Sequence, residues 1–173
     1  MPISQSDVGA WVVKGDSGHL WDYEAKARDE GWAGGTWVPM TWSLGDTYRN
    51  GLIAADDPIV LYVHGQGDAG IVQIGRVTSM SSRGVWDPKY VLDLDKGSQL
   101  RPFVHFDGLV LRKPVSRADL VAHLGQSELI RAPQMTNPTY FTPEEVDMLI
   151  TLISAPDMRT FAWAMRPTTG TWP

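Results

Sequence analysis

The chain reads as an α+β domain: a small mixed β-barrel of five to six strands, with helices packed at its ends and along one flank. Three observations predict this. Short β-branched and aromatic runs fill the middle of the sequence, from residue 59 to residue 111. One helix-like stretch precedes them and well-punctuated helices follow. A length of 173 residues, with 43 % hydrophobic and 20 % charged residues, suits one domain with a sizeable core. We expect that domain to occupy residues 1–156, with 157–173 forming a short helix and a loosely held tail.

Taken in order, Ala10-Trp11-Val12-Val13-Lys14 predicts a first strand that ends at the turn Gly15 to Gly18. Leu20 to Trp32 has helical spacing. Gly34, Gly35 and Pro39 then open an irregular segment running to about Asp57. Ile59 to His64 is apolar at consecutive positions, as in a strand covered on both faces. Gly70 to Thr78 alternates and pairs with it as a hairpin, Lys89 to Asp95 predicts a third β segment, and Phe103 to Leu111 supplies one or two more.

The later helices carry clear end signals. Ser116 caps a short helix that stops at Gly125. Thr142-Pro143-Glu144-Glu145 is a capping box with proline at the first helical position, and Val146, Leu149, Ile150 and Ile153 form the buried stripe behind it. Asp157 to Met165 predicts a last short helix, followed by the loose tail from Pro167.

Composition excludes several functions. With no cysteine, disulfides, thiolate zinc sites and a cysteine nucleophile are impossible. No run approaches the ~18 apolar residues of a membrane span, and the first residues lack a basic end followed by an apolar stretch. A cytoplasmic location without membrane association is therefore expected. The net charge of −5 is uneven: −6 over residues 1–70, +4 over 71–118 and −3 over 119–173. Such a balance disfavours nonspecific coating of a polyanion more than it disfavours a small pocket-type contact.

Few motifs carry chemistry. Gly65-Gln66-Gly67-Asp68-Ala69-Gly70 has the letters of a dinucleotide fingerprint, but the residues after it read as strand, not as the helix the fingerprint requires. The four histidines (His19, His64, His105, His123) are dispersed, Asp93 and Asp95 read as carboxylates on one face of a strand edge, and no base–nucleophile spacing is visible. No catalytic residue, metal or cofactor is expected. The eight tryptophans are more informative, since Trp11, Trp21, Trp32, Trp37 and Trp42 fall within 32 residues. Some must close the core; others can wall a slot for a flat ligand, because stacking on a base contributes roughly 1–3 kcal/mol per ring.

Order and spacing along residues 10–153 resemble the EVE family of the PUA-like superfamily. The resemblance is carried by a first strand with Trp11 and Lys14, Thr41-Trp42-Ser43 ahead of Leu61-Tyr62-Val63-His64, and the hairpin Gly70 to Thr78. Trp86-Asp87-Pro88, Tyr90 to Leu94, and Arg131 to Thr142 leading into Pro143-Glu144-Glu145 complete it. Gly15 stands where many relatives have Ser or Asn, and Asp56-Asp57-Pro58 replaces their Gly-Asp turn. The resemblance implies a PUA-like barrel that reads a modified base flipped into an aromatic pocket. On that reading Trp42 and Ser43 line the pocket, Trp37 stands just ahead of them, and Trp11 and Tyr62 form its floor or, equally, belong to the core. Gln134, Thr136 and Asn137 close it.

The expected ligand is 5-methyl- or 5-hydroxymethylcytosine in DNA, with Arg76, Arg83, Lys89 and Arg131 as phosphate contacts and a separate nuclease or NTPase as effector. A modified RNA base, a small enzyme acting on a nucleotide or amide, and a protein-interaction barrel with core tryptophans are the alternatives.

Overall fold

The computed structural model describes residues 2–16, 18–64 and 69–164, with the backbone alone at 162–164. Six strands form one mixed sheet: β1 (Ala10–Asp16), β2 (Trp37–Ser43), β3 (Pro58–His64), β4 (Gly70–Gly84), β5 (Arg101–Ser116) and β6 (Thr139–Phe141). Their order is β2-β5-β4-β3-β1-β6, with β1 parallel to β3 and every other neighbour antiparallel. The helices are α1 (Tyr23–Asp29), α2 (Leu94–Gly97), α3 (Arg117–Leu124), α4 (Glu128–Arg131), α5 (Pro143–Leu152) and α6 (Ala155–Ala164).

The unbroken apolar run of β3 is explained by cover on both faces. Val60 and Tyr62, with Ala10 and Val12 of β1, pack against Leu120, Leu124, Leu129, Val146, Leu149 and Phe161 from the C-terminal helices. Ile59, Leu61 and Val63, with Trp11 and Val13, face an aromatic cluster built from Trp21, Trp42, Trp86 and Phe103. Alternation along a strand sends successive side chains to opposite faces, so one apolar run serves two cores. Trp11 is fully buried and its indole N–H donates to Asp57 Oδ2 at 2.9 Å.

The sheet curls without closing. Between β2 and β1 lie three strands, yet the Trp42 indole N–H donates to the Lys14 carbonyl at 3.1 Å. A Cβ on Gly15 would lie 2.1 Å from Trp42 Cζ2, so the ring lies directly on the backbone of β1 and only glycine leaves room for it. Beyond β2, Gly45 N–H donates to the Asn137 carbonyl at 2.9 Å. The expected barrel is thus an open, curled sheet whose ends are tied by side chains and loops, with no ladder between β2 and β6 among the described residues.

Several predicted elements differ. The irregular segment from Gly34 to Asp57 contains the edge strand β2 and a 3-10 turn over Tyr48–Leu52. Val110 N–H donates to Thr36 O and Leu44 N–H to Pro102 O, so even-numbered β2 residues bond to β5 and odd-numbered ones face the free edge. Pro39 occupies an outward position, where its missing N–H costs no ladder bond. Lys89 to Asp95 is not a strand: Val91 makes one isolated bridge to Trp21, and Asp93 caps α2 by accepting from Lys96 N–H. The Asp93/Asp95 pair on one strand face therefore does not exist. Helix α1 is shorter than Leu20 to Trp32 because Asp22, not Leu20, caps it. The caps at Ser116 and Thr142 form as expected, and β4 follows Ala69 as a strand. Residues 65–68 of the glycine-rich loop, Met165 of the last helix and the tail lie outside the described residues.

If Trp42 seated on Gly15 holds the curl, Gly15→Ala displaces the indole and overpacks the junction. The expected loss is about 1–3 kcal/mol in urea unfolding. A variant as stable as the parent would show that the contact is dispensable.

Candidate functional site

Two features build the site: an aromatic wall beneath one end of the sheet, and a loop knotted to β1. The wall begins with Trp21 and Trp86, whose ring centroids stand 5.1 Å apart at 36°. Trp42 meets both edge-on, at 5.2 Å and 5.1 Å, and Phe103 meets Trp86 edge-on at 5.3 Å. The edge-to-face contacts match the electrostatics of aromatic quadrupoles. In front of this wall opens a cavity of about 310 Å³ lined by Trp21, Trp86, Phe103, Met40, Pro39, Thr41, Lys26, Val85 and Asp87. Trp21 and Trp86 touch, so there is no slot between their rings and the cavity lies against the wall. Both indole N–H groups are buried and have no partner among the described residues.

The free edge of β2 supplies the polar side of this cavity. Thr41 is an outward-facing position of that strand, so its N–H and C=O are not used by β5. Its hydroxyl lies 3.1 Å from His105 Nδ1, and Ser81 Oγ lies 2.5 Å from His105 Nε2. The sequence showed no histidine–hydroxyl pairing because these three residues sit on β2, β5 and β4, brought together only by strand register. No carboxylate completes the group among the described residues.

The knot centres on Lys14. The Asn137 side chain accepts from Lys14 N–H at 2.9 Å and donates to the Lys14 carbonyl at 2.8 Å. The Lys14 ammonium donates to the carbonyls of Pro133 and Met135, at 2.9 Å and 2.6 Å. Burial lowers its pKa below the usual lysine value, opposed by the Glu128 carboxylate. Glu128 is held by Arg49 through paired bonds of 2.7 Å and 2.8 Å, and Arg49 also donates to the Pro138 carbonyl at 3.2 Å. That bidentate pair, more than any other cause, keeps the buried guanidinium firmly charged.

The structure distributes the sequence-expected residues unevenly. Trp42 backs the wall while staying 4 % exposed, Asn137 shares the Lys14 carbonyl with its indole, Thr136 lies against Gly45, and Ser43 follows Trp42 as a buried residue of β2. Gln134 is exposed on the loop held by Lys14. Trp37, by contrast, faces the other side of β2 and stacks on Phe161 at 5.9 Å. Tyr62 belongs to the helix-side core, its hydroxyl accepting from Arg117 at 3.4 Å, and Trp11 is enclosed beneath β1. The cavity and these three residues do not meet. Trp21, Trp86 and Phe103 are the wall residues that sequence reasoning passed over. Trp86 belongs to the segment Trp86-Asp87-Pro88 that helps carry the family resemblance, and the signal for Trp21 is only its place in the tryptophan cluster.

The four cations also separate. Arg83 ends β4 and Lys89 follows Trp86, so both flank the cavity wall in sequence; Lys89 pairs with Asp29 at 3.0 Å. Arg76 pairs with Asp56 at 3.4 Å. Arg131 lines a second cavity of about 300 Å³ together with Glu128, Glu145 and Tyr140.

Beneath the wall, the Tyr23 hydroxyl accepts from the fully buried Gln73 amide at 3.0 Å. Burial pushes its pKa from 10 up to about 12, against a smaller lowering by Gln73. A raised folded pKa means stability present below the unfolded value and lost as pH climbs through the folded one. Stability should therefore fall between pH 10 and about 12, and Tyr23→Phe should flatten that part of a urea-midpoint profile. Parallel profiles for the two proteins would refute this assignment.

No family model matches the chain, and no curated protein does. Among solved structures, it resembles a protein of Pseudomonas syringae, with 17 % identity over 83 % of this chain and 98 % of that one, at a TM-score of 0.53. It also resembles a protein of Leishmania major, with 13 % identity over 84 % and 94 % of the two chains and a TM-score of 0.53. The DUF55 domain of human thymocyte nuclear protein 1 aligns at 14 % identity over 83 % of this chain and 97 % of its own, with a TM-score of 0.45. At these identities the likeness to the Pseudomonas syringae and Leishmania major proteins is one of fold alone.

Proposed function

We propose that this domain is a nucleic-acid-binding module of the EVE group, one that captures a base turned out of its strand. The base proposed is 5-methyl- or 5-hydroxymethylcytosine in DNA. The observation that carries the reading is the cavity of about 310 Å³ walled by Trp21, Trp86 and Phe103, with main-chain groups of Thr41 that β5 does not take at its edge. Its size falls at the lower end of the ~300–1,000 Å³ typical of ligand pockets. Stacking on one aromatic wall, worth roughly 1–3 kcal/mol, offsets the few kcal/mol needed to unstack a base. An added methyl contributes only about 1–3 kcal/mol of discrimination, so selectivity is moderate unless a polar group is read as well.

Trp42 supports the wall from behind, so its role in binding is positional. Arg83 and Lys89, beside the Trp86 segment, are the proposed phosphate contacts nearest the wall in sequence, with Arg76 before them and Arg131 after them. Asn137, with Gln134 and Thr136 on the same loop, fixes the neighbouring β1 end, and Ser43 stands next to Trp42 at the end of β2. Cleavage or signalling is assigned to a separate nuclease or NTPase partner in the cytoplasm.

Oligonucleotides carrying cytosine, 5-methylcytosine or 5-hydroxymethylcytosine, titrated across a salt series, test the reading. Modified strands should bind several-fold tighter with a shallow salt slope, and Trp86→Ala should erase the difference. Equal affinity for all three strands with the parent protein would sink it.

A further inference from the structure

We infer that Thr41 is the position at which this cavity reads the polar edge of its ligand, and that His105 and Ser81 set the direction of its hydroxyl. The inference rests on the base-capture reading and adds the residue that supplies polarity to an otherwise aromatic site.

Thr41 lines the cavity and is exposed on the edge strand. Its backbone offers one donor and one acceptor that β5 does not take. Its hydroxyl is the third polar group, and its direction is controlled from behind. A neutral imidazole carries one N–H, so the two bonds to His105 are linked. When Nε2 carries the hydrogen, it donates to Ser81 Oγ, and Nδ1 accepts the Thr41 O–H. Thr41 then shows only lone pairs to the cavity. When Nδ1 carries the hydrogen, it donates to Thr41 Oγ, Ser81 donates to Nε2, and the Thr41 O–H is free to donate outward. The pair of distances, 3.1 Å and 2.5 Å, allows either arrangement.

This makes Thr41 a hydrogen-bonding group whose sign follows its ligand. A base edge, or a hydroxymethyl substituent on it, presents donors and acceptors side by side, and such a contact accommodates both. Ser81 and His105 act through Thr41 and are positioning residues. Phe103, opposite Ser81 in the β4–β5 register, lines the same cavity.

The test uses the whole protein and a short single-stranded oligodeoxynucleotide with one 5-hydroxymethylcytosine, beside its cytosine counterpart. Thr41→Val removes the hydroxyl at constant shape and should weaken binding of the modified strand about tenfold, while Thr41→Ser should restore it. His105→Phe should produce a similar loss, and the double variant should be no weaker than either single one, because both changes break one relay. If His105→Phe fails to fold, Ser81→Ala takes its place in the cycle. A parent that prefers the modified strand, with Thr41→Val within about twofold of it or with losses that multiply in the double variant, overturns the relay and leaves base capture standing. A parent without preference overturns both.

Discussion

The fold depends on one contact, the Trp42 indole seated on Gly15. Everything else at this end of the molecule is arranged around the absence of a side chain there. With a Cβ only 2.1 Å from the ring, any other residue would push β2 away from β1. Glycine admits the ring, the indole N–H reaches the Lys14 carbonyl, and the sheet curls far enough for Gly45 to bond Asn137. The same carbonyl of Lys14 also accepts from the Asn137 amide, so both lone pairs of one oxygen hold two distant segments. Glycine at position 15 thus has a steric reason: the tryptophan occupies the volume a Cβ would take.

That contact also gives the aromatic wall its rigidity. Trp42 presents its ring to Trp21 and Trp86 at nearly right angles, 87° and 89°. Two buried rings held edge-on by a third cannot rotate independently, so the cavity is formed before any ligand arrives. Preorganisation of this kind reduces the ordering cost of binding. The Arg49–Glu128 pair performs the matching service for the loop, joining the turn after β2 to α4 and to the carbonyl before β6.

Much of the fold was legible in the sequence, and the failures have physical causes. Capping residues at Ser116 and Thr142 act locally, so their meaning survives without tertiary knowledge. The run Ile59 to Val63 announced a doubly covered strand because burial on two faces leaves no polar position. Pro39 hid β2, since an outward edge position is visible only once the partner strand is known. Lys89 to Asp95 looked like strand from its Tyr-Val-Leu core, but Pro88 and the Asp93 cap turn the chain there. The site was less legible than the fold. Tryptophan clustering located the wall roughly, but alternation along β2 sends Trp37 and Trp42 to opposite faces. The Thr41–His105–Ser81 group could not be read at all, being a product of register across three strands.

Charge sharpens how such a site can hold a polyanion. Two of the four cations expected to meet phosphate already have acidic partners, Arg76 with Asp56 and Lys89 with Asp29. Both pairs are exposed, so each contributes little stability and can be exchanged for a phosphate at small cost. Exchange, however, frees an aspartate next to the incoming anion, which removes much of the gain. Arg83 and Arg131 have no ion pair among the described residues, but Arg131 shares its cavity with Glu128 and Glu145, so Arg83 is the cation whose charge is available without that penalty. Few net counterions are then released on binding, and affinity has to come from the cavity itself. A chain of net charge −5 can hold nucleic acid on those terms only if stacking and edge contacts, not phosphates, supply most of the binding energy.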